Sequence, residues 1–220
     1  MWCIPPEQNA DFVAKMEDVL DIYALPYDEK YPVICMDEKP YQLLDEVRDP
    51  IPMTPGSPEK IDNEYKRCGT SSIFVATQPL KGWHYAHARE RRTAIDFAEE
   101  VETLVNFFPD AVKVRFVTDN LNTHVIASLY KAFPAPKARE IAKKIKIHYT
   151  PKHGSWLNIA EIAISILSKQ CINKRIPNIE QLNAEISAWM GYSNANLKKV
   201  NWQFTTSDAR IKLKTLYPVF

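Results

Sequence analysis

Three acidic residues stand where an acid is least expected. Asp37 closes the apolar run Pro32-Val33-Ile34-Cys35-Met36, Asp119 closes Val114-Arg115-Phe116-Val117-Thr118, and Glu161 sits inside Trp156-Leu157-Asn158-Ile159-Ala160-Glu161-Ile162-Ala163-Ile164. An unpaired buried carboxylate is costly, so acids kept on the buried edges of three separate elements point to a cation that gathers them. Hard oxygen ligands suit Mg2+ or Mn2+ better than zinc. Two such ions about 4 Å apart, held by three carboxylates, would activate an attacking water or hydroxyl and stabilise the leaving oxygen of a phosphoryl transfer.

Each acid also has a plainer reading. An Asp after a strand is often a turn former or helix cap, although ligands in α/β sheets do gather at the carboxyl ends of strands. Glu161 is the only charged residue between Gly154 and Ser168. At helical spacing it shares a narrow polar stripe with Asn158, Ser165 and Ser168, which reads either as a ligand-bearing face or as a window onto solvent.

The elements that must position these acids follow from hydrophobic periodicity. Residues 8–24 place Phe12, Val13, Met16, Val19, Leu20 and Tyr23 at helical spacing. Residues 31–36 read as a buried strand ending in a turn at Asp37-Glu38-Lys39-Pro40. The segment 45–60 carries Pro50, Pro52, Pro55, Gly56 and Pro58, which predicts a loop or arm. Short strands are expected at 64–67, 72–76 and 82–88, the last two as a hairpin or meander, followed by a Thr93-capped helix over 94–108. A strand over 112–118, helices over 124–133 and 137–145, a strand over 146–149, and helices over 156–171 and 179–190 complete the pattern. This order predicts an α/β fold, a mixed sheet with helices on both faces.

Composition bounds the rest. At 220 residues, the chain can bury a full core. It lacks a membrane-length apolar stretch, and Met-Trp-Cys-Ile-Pro-Pro-Glu is not laid out as a signal peptide, so a cytoplasmic location and no membrane partner are expected. Cys3, Cys35, Cys68 and Cys171 form no Cys-x-x-Cys pair, which argues for reduced thiols. The net charge of +1 hides a split: residues 137–220 carry 14 Lys and Arg against 5 Asp and Glu, whereas 1–136 carry 14 against 22. A basic C-terminal half suits a polyanion, though runs such as Lys143-Lys144 and Lys198-Lys199 are also ordinary solvated helix faces.

Three blocks then become recognisable: Met36-Asp37-Glu38, Thr118-Asp119-Asn120-Leu121-Asn122-Thr123-His124, and Pro151-Lys152-His153-Gly154-Ser155-Trp156-Leu157-Asn158 followed by Glu161. Their order resembles the catalytic blocks of DDE transposases, in particular the bacterial insertion-sequence six-thirty family of the Tc/mariner superfamily. Trp2-Cys3-Ile4-Pro5, Glu90 to Phe97 and Phe204 to Arg210 are similar to that family too, so the resemblance covers nearly the whole chain.

The resemblance implies a single DDE catalytic domain over 1–220, built as a ribonuclease-H-like five-stranded mixed sheet with the arm at 45–60 and a helical part from about residue 172. It implies Asp37, Asp119 and Glu161 as catalytic ligands of two Mg2+ or Mn2+ ions. The expected activity is cleavage of transposon-end DNA and transfer of its 3′-hydroxyl into target DNA by a homodimer, in a bacterial cytoplasm at the nucleoid. Asn120, His124, Lys152, His153, Trp156 and Asn158 are further candidates from the second and third blocks, for support of the acids or for contact with DNA. His124 would orient a phosphate or water, or simply begin the next helix; Trp156 would stack on a base, or pack in the core. The arm would reach a partner subunit or DNA, or be a surface loop. Residues 131–146 are expected to be an inserted surface element. A helix-turn-helix region like the one such transposases carry ahead of the catalytic part is not seen before Trp2, which leaves an inactive truncated remnant as the alternative.

Overall fold

The computed structural model describes residues 8–219; Trp2-Cys3-Ile4-Pro5 and Cys3 lie outside the described residues. In chain order the elements are α1 Ala10–Tyr23, β1 Val33–Glu46, β2 Tyr65–Gln78, β3 Trp83–Arg89, α2 Ala94–Asn106, β4 Val114–Thr118, α3 Ile126–Ala132, α4 Ala135–Lys144, β5 Ile145–Tyr149, α5 Ala160–Gln170, α6 Ile179–Asn196 and α7 Thr206–Lys212. The strands form one mixed sheet in the order β3-β2-β1-β4-β5. β1, β2 and β3 pair antiparallel, whereas β4 and β5 join β1 in parallel.

Side-chain alternation divides the core between the two faces of this sheet. Ile34, Met36, Phe74, Ala76, Val114 and Phe116 pack under Phe97, Val101 and Leu104 of α2, Leu129 of α3, and Ala138 and Ile141 of α4. On the opposite face, Cys35 and Val117 meet Met16, Val19 and Leu20 of α1, and Ile73, Val75, Ala86 and Ala88 meet Ala163 and Leu167 of α5 and Leu182 and Ile186 of α6. The expected α/β architecture, a five-stranded mixed sheet with helices on both faces, is the one observed.

Several boundaries differ from the expectation. The turn expected at 37–40 is not there: β1 runs on to Glu46 against β2, which joins the two short strands expected at 64–67 and 72–76 into one. Pro40 is tolerated because the β4 ladder ends at Cys35, so that among the described residues β1 has only the β2 strand paired with it at Pro40, and a proline costs least where one strand edge is open. The register shifts between Leu43 and Leu44, where Gly69 adopts φ +118°, the left-handed conformation of a glycine bulge.

Residues 131–146 are no detachable surface element, because α4 buries Ala138 and Ile141 in the main core. Within the arm, Ile51 pairs with Lys60 and Thr54 with Ser57, forming a small two-stranded finger. Its base is clamped by Arg175, whose Nη2 donates to the Asp62 carbonyl at 2.7 Å and Nη1 to the Glu64 carbonyl at 2.9 Å while pairing with Glu46.

The edge strand β3 is closed by α6 in place of another strand. Asn183 accepts from the Ala88 N–H at 2.8 Å and donates to the Ala88 carbonyl at 3.0 Å; Asn194 makes the same pair of bonds with His84, both at 2.8 Å. Between them the Ala86 N–H meets Met190 Sδ at 3.1 Å. The backbone groups that would template another chain are thereby occupied. Among the described residues, no helix is long and apolar enough to cross a membrane.

Candidate active site

The parallel ladder between β1 and β4 pairs Ile34 with Phe116 and Cys35 with Val117. Continuing that register by two residues on each chain sets Asp37 beside Asp119. The third acid arrives by another route. The Pro151 to Gly154 turn, closed by the Gly154 N–H donating to the Pro151 carbonyl at 2.8 Å, leads through a short 3-10 turn into α5. Asn158 fastens this approach to β1. Its Nδ2 donates to the Met36 carbonyl at 2.9 Å and lies 3.4 Å from Asp37 Oδ2, while its Oδ1 accepts from the Ala160 N–H at 3.1 Å. Glu161 therefore lies in the first turn of a helix whose start is tied to the strand of Asp37.

Glu161 is exposed, as are Ile162 and Ser165, so the helix is less deeply buried than its apolar sequence implies. Asn158 is not part of a helical polar stripe; it precedes the helix and is buried. Among the described residues, no three His, Cys, Asp or Glu side chains are gathered closely enough to hold a metal ion as they stand. The acids nevertheless act on one another. Burial pushes the Asp37 carboxyl up to about 7; the Glu38 N–H opposes that, and the negative charges of Glu161, Asp119 and Glu38 add to it. The oxygen donors of these carboxylates are of the hard kind that Mg2+ and Mn2+ prefer.

Behind the acids stands a second group. The side chain of His124 is buried, with Nδ1 2.5 Å from Asp119 Oδ1 and Nε2 2.7 Å from Glu38 Oε1. Burial alone would lower the affinity of this ring for its proton, but the bonds to Asp119 and Glu38 outweigh that and raise its pKa to about 9.

The comparisons with known proteins bear on the same segment. The model of the family described as "DDE superfamily endonuclease" matches residues 32–183, more than half of the chain and the stretch that contains all three acids. The chain belongs to this family. No curated protein matches the chain as a relative. Among solved structures, this DDE endonuclease superposes on the Mos1 mariner paired-end complex with Mn at a TM-score of 0.54 and 14% identity, over 86% of this chain and 57% of that one. It superposes on a pre-cleavage Mos1 transpososome at 0.56 and 12% identity, over 99% and 66%, and on the catalytic domain of Mos1 mariner transposase at 0.52 and 12%, over 86% and 85%. At such identities the likeness is one of fold, and this DDE endonuclease spans only 57% of the first of these proteins.

The other candidate residues of the DDE endonuclease divide in two. Asn158 and His124 are buried and turned inward, toward Asp37 and Asp119 respectively; His124 lies before α3 and faces no solvent. Asn120, Lys152 and His153 are exposed, and His153 holds φ +65° in the Pro151 turn. Trp156 meets Phe204 edge-on at 6.1 Å and packs against the cluster of α1, the packing alternative of the two raised for it. Glu38 was not singled out in the sequence beyond its place in the first block. The available signal was alternation: two consecutive acids on one strand must face opposite sides of a sheet.

Proposed function

We propose that this chain is the catalytic domain of a transposase, which nicks DNA at transposon ends and joins the freed 3′-hydroxyl to target DNA. Asp37, Asp119 and Glu161 are the residues assigned to hold Mg2+ or Mn2+. The observation that carries the reading is the convergence of charge at Asp37, where a parallel strand register and the Asn158 tether bring acids from three distant segments together. The Mos1 structures in complexes with Mn and with Mg, and as a strand transfer complex, support the same reading by likeness of fold. Paired ends in those complexes also support a dimer on DNA.

When bound, the cations would supply Lewis acidity to the attacking and leaving oxygens. The residues of the chain supply the arrangement. Asp37 feels the negative charge of both other acids, and its Oδ1 accepts from the Glu38 N–H at 2.8 Å. Asp119 commits Oδ1 to His124, which leaves Oδ2 for a cation. Glu161 lies on the first turn of α5 and is exposed, and the exposed Asn120, Lys152 and His153 are the residues assigned to meet a phosphate backbone.

The test is a joining assay with purified chain, a short duplex bearing a free 3′-hydroxyl, and supercoiled plasmid in Mg2+ or Mn2+. Joined products are expected, and loss of both nicking and joining in D37A, D119A and E161A. Nicking without joining would indicate a plain nuclease. Full activity in any one of the three variants would refute the assignment of that acid.

A further inference from the structure

We propose that Glu38 is a positioning residue for this site: through His124 it fixes the carboxylate of Asp119 in the orientation that a divalent cation requires. The inference rests on the catalytic reading above and extends it to a residue that touches neither cation nor DNA.

Glu38 follows Asp37 on β1, so the two side chains leave the sheet on opposite faces. Asp37 has the parity of Cys35, which faces α1, whereas Glu38 has the parity of Ile34 and Met36, which pack beneath α2. An acid on that face must find a partner or neutralise. The side chain of Glu38 is 2% exposed, and the partner it meets is no lysine or arginine but Nε2 of His124, at 2.7 Å. The other ring nitrogen lies 2.5 Å from Asp119 Oδ1 and 3.1 Å from Thr118 Oγ1. With a carboxylate oxygen against each nitrogen, both nitrogens serve as donors, and the ring bridges the two acids.

That ring has little freedom to turn. Phe97 of α2 stacks on it at 4.5 Å and 25°, the His124 carbonyl accepts from Tyr149 Oη at 2.7 Å, and its N–H donates to the Leu121 carbonyl at 3.0 Å. Asp119, by contrast, leads into exposed Asn120, Leu121 and Asn122, and its own side chain is 34% exposed. Of the bonds its carboxylate makes, the one to His124 is short, while the one from the Leu121 N–H is long at 3.4 Å. Orientation of Asp119 thus depends on the ring, whose plane Phe97 sets and whose Nε2 is anchored by Glu38. Partners that stand behind metal ligands typically contribute about 10- to 100-fold to metal affinity.

The experiment measures Mn2+ uptake by the whole chain without DNA, following the electron paramagnetic resonance signal of free Mn2+, with thermal unfolding in parallel. Met fills the space of Glu38 with no acceptor, so E38M is expected to raise the Mn2+ Kd about tenfold or more. H124A should do the same. The double variant E38M/H124A should bind no more weakly than H124A, because Glu38 reaches Asp119 only through the ring. E38Q keeps an oxygen for the Nε2–H and should return to within about threefold of wild type, which loss of a remote charge alone would not allow.

An E38M affinity within about twofold of wild type would overturn the proposal, as would tighter binding. So would an E38M effect that persists undiminished in the H124A background, which would mark a charge acting at a distance. Wild-type protein that takes up no Mn2+ would overturn the metal-site reading and this inference together. Wild-type protein that binds Mn2+ and is indifferent to E38M would overturn this inference alone.

Discussion

Replacing Asn158 with alanine tests whether the third acid is held by a single amide. The side chain is 2% exposed and satisfies two buried backbone groups, the Met36 carbonyl at 2.9 Å and the Ala160 N–H at 3.1 Å. Alanine satisfies neither, and each buried polar group left without a partner costs about 1–3 kcal/mol. A water entering the vacated space would recover part of that, so a net loss of about 3 kcal/mol is expected. For a chain of this size, such a loss lowers Tm by roughly 6–12 °C. N158D should be worse than N158A at neutral pH. It keeps an acceptor for Ala160 but turns an oxygen toward the Met36 carbonyl and adds a negative charge beside Asp37, where acids already converge. Urea unfolding gives the stabilities, and plasmid nicking well below Tm gives the effect on the site, which should fall because α5 loses its tie to β1. N158A within about 1 kcal/mol of wild type, or N158D as stable as wild type, would refute the reasoning.

Glu100 of α2 is fully buried and meets Tyr85 Oη at 2.7 Å, His87 Nδ1 at 2.7 Å and Arg89 Nε at 2.5 Å. Burial would raise its pKa, but the bonds from His87, Arg89 and Tyr85 outweigh burial and lower it. Its contribution to stability is therefore present above the unfolded-state value and lost as pH falls through the lower folded-state value, so E100Q should flatten the acid limb of a stability profile; an unchanged limb would contradict this. E100A, which takes the acceptor from Tyr85, His87 and Arg89 Nε but leaves Arg89 Nη1 paired with Glu99 and Asp96, should cost about 1–3 kcal/mol by urea unfolding. A Cβ on Gly154 would stand 2.5 Å from Pro151 Cγ, so G154A should shift the approach to α5, cost about 1–3 kcal/mol and slow nicking, as checked by unfolding and plasmid assays. Replacing Asn183 and Asn194 with leucine should reopen the β3 edge, and light scattering at raised concentration should show association that wild type lacks.

Much of this protein was legible locally. The capping box at Thr93 and Asp96 was readable as a helix start, and α2 begins there. The strands β4 and β5 were visible as short apolar runs, and the three acids stood out because each interrupts an apolar context. The misplaced end of β1 has a plain cause. Asp37-Glu38-Lys39-Pro40 has the composition of a turn, and only the presence of β2, paired with it from Cys35 to Glu46, makes it a strand. That one error concealed Glu38. Inside a strand, the residue after Asp37 must face the other side of the sheet, where an acid needs a partner; in a turn it needs none.

The sequence by itself determined which residue types were available for chemistry, the α/β class, and the resemblance that joined three separated blocks into one expectation. Those properties are written in types and short spacings. Which acids stand side by side was decided only by the tertiary structure, because a parallel register between β1 and β4 and the reach of Asn158 to the Met36 carbonyl relate residues about 80 and 120 positions apart. The same holds for His124, which local sequence allowed to be a helix start or a phosphate ligand. Its burial between Asp119 and Glu38 arises because the middle of β1, the end of β4 and Phe97 of α2 close around it, a coincidence of distant elements that no periodicity encodes.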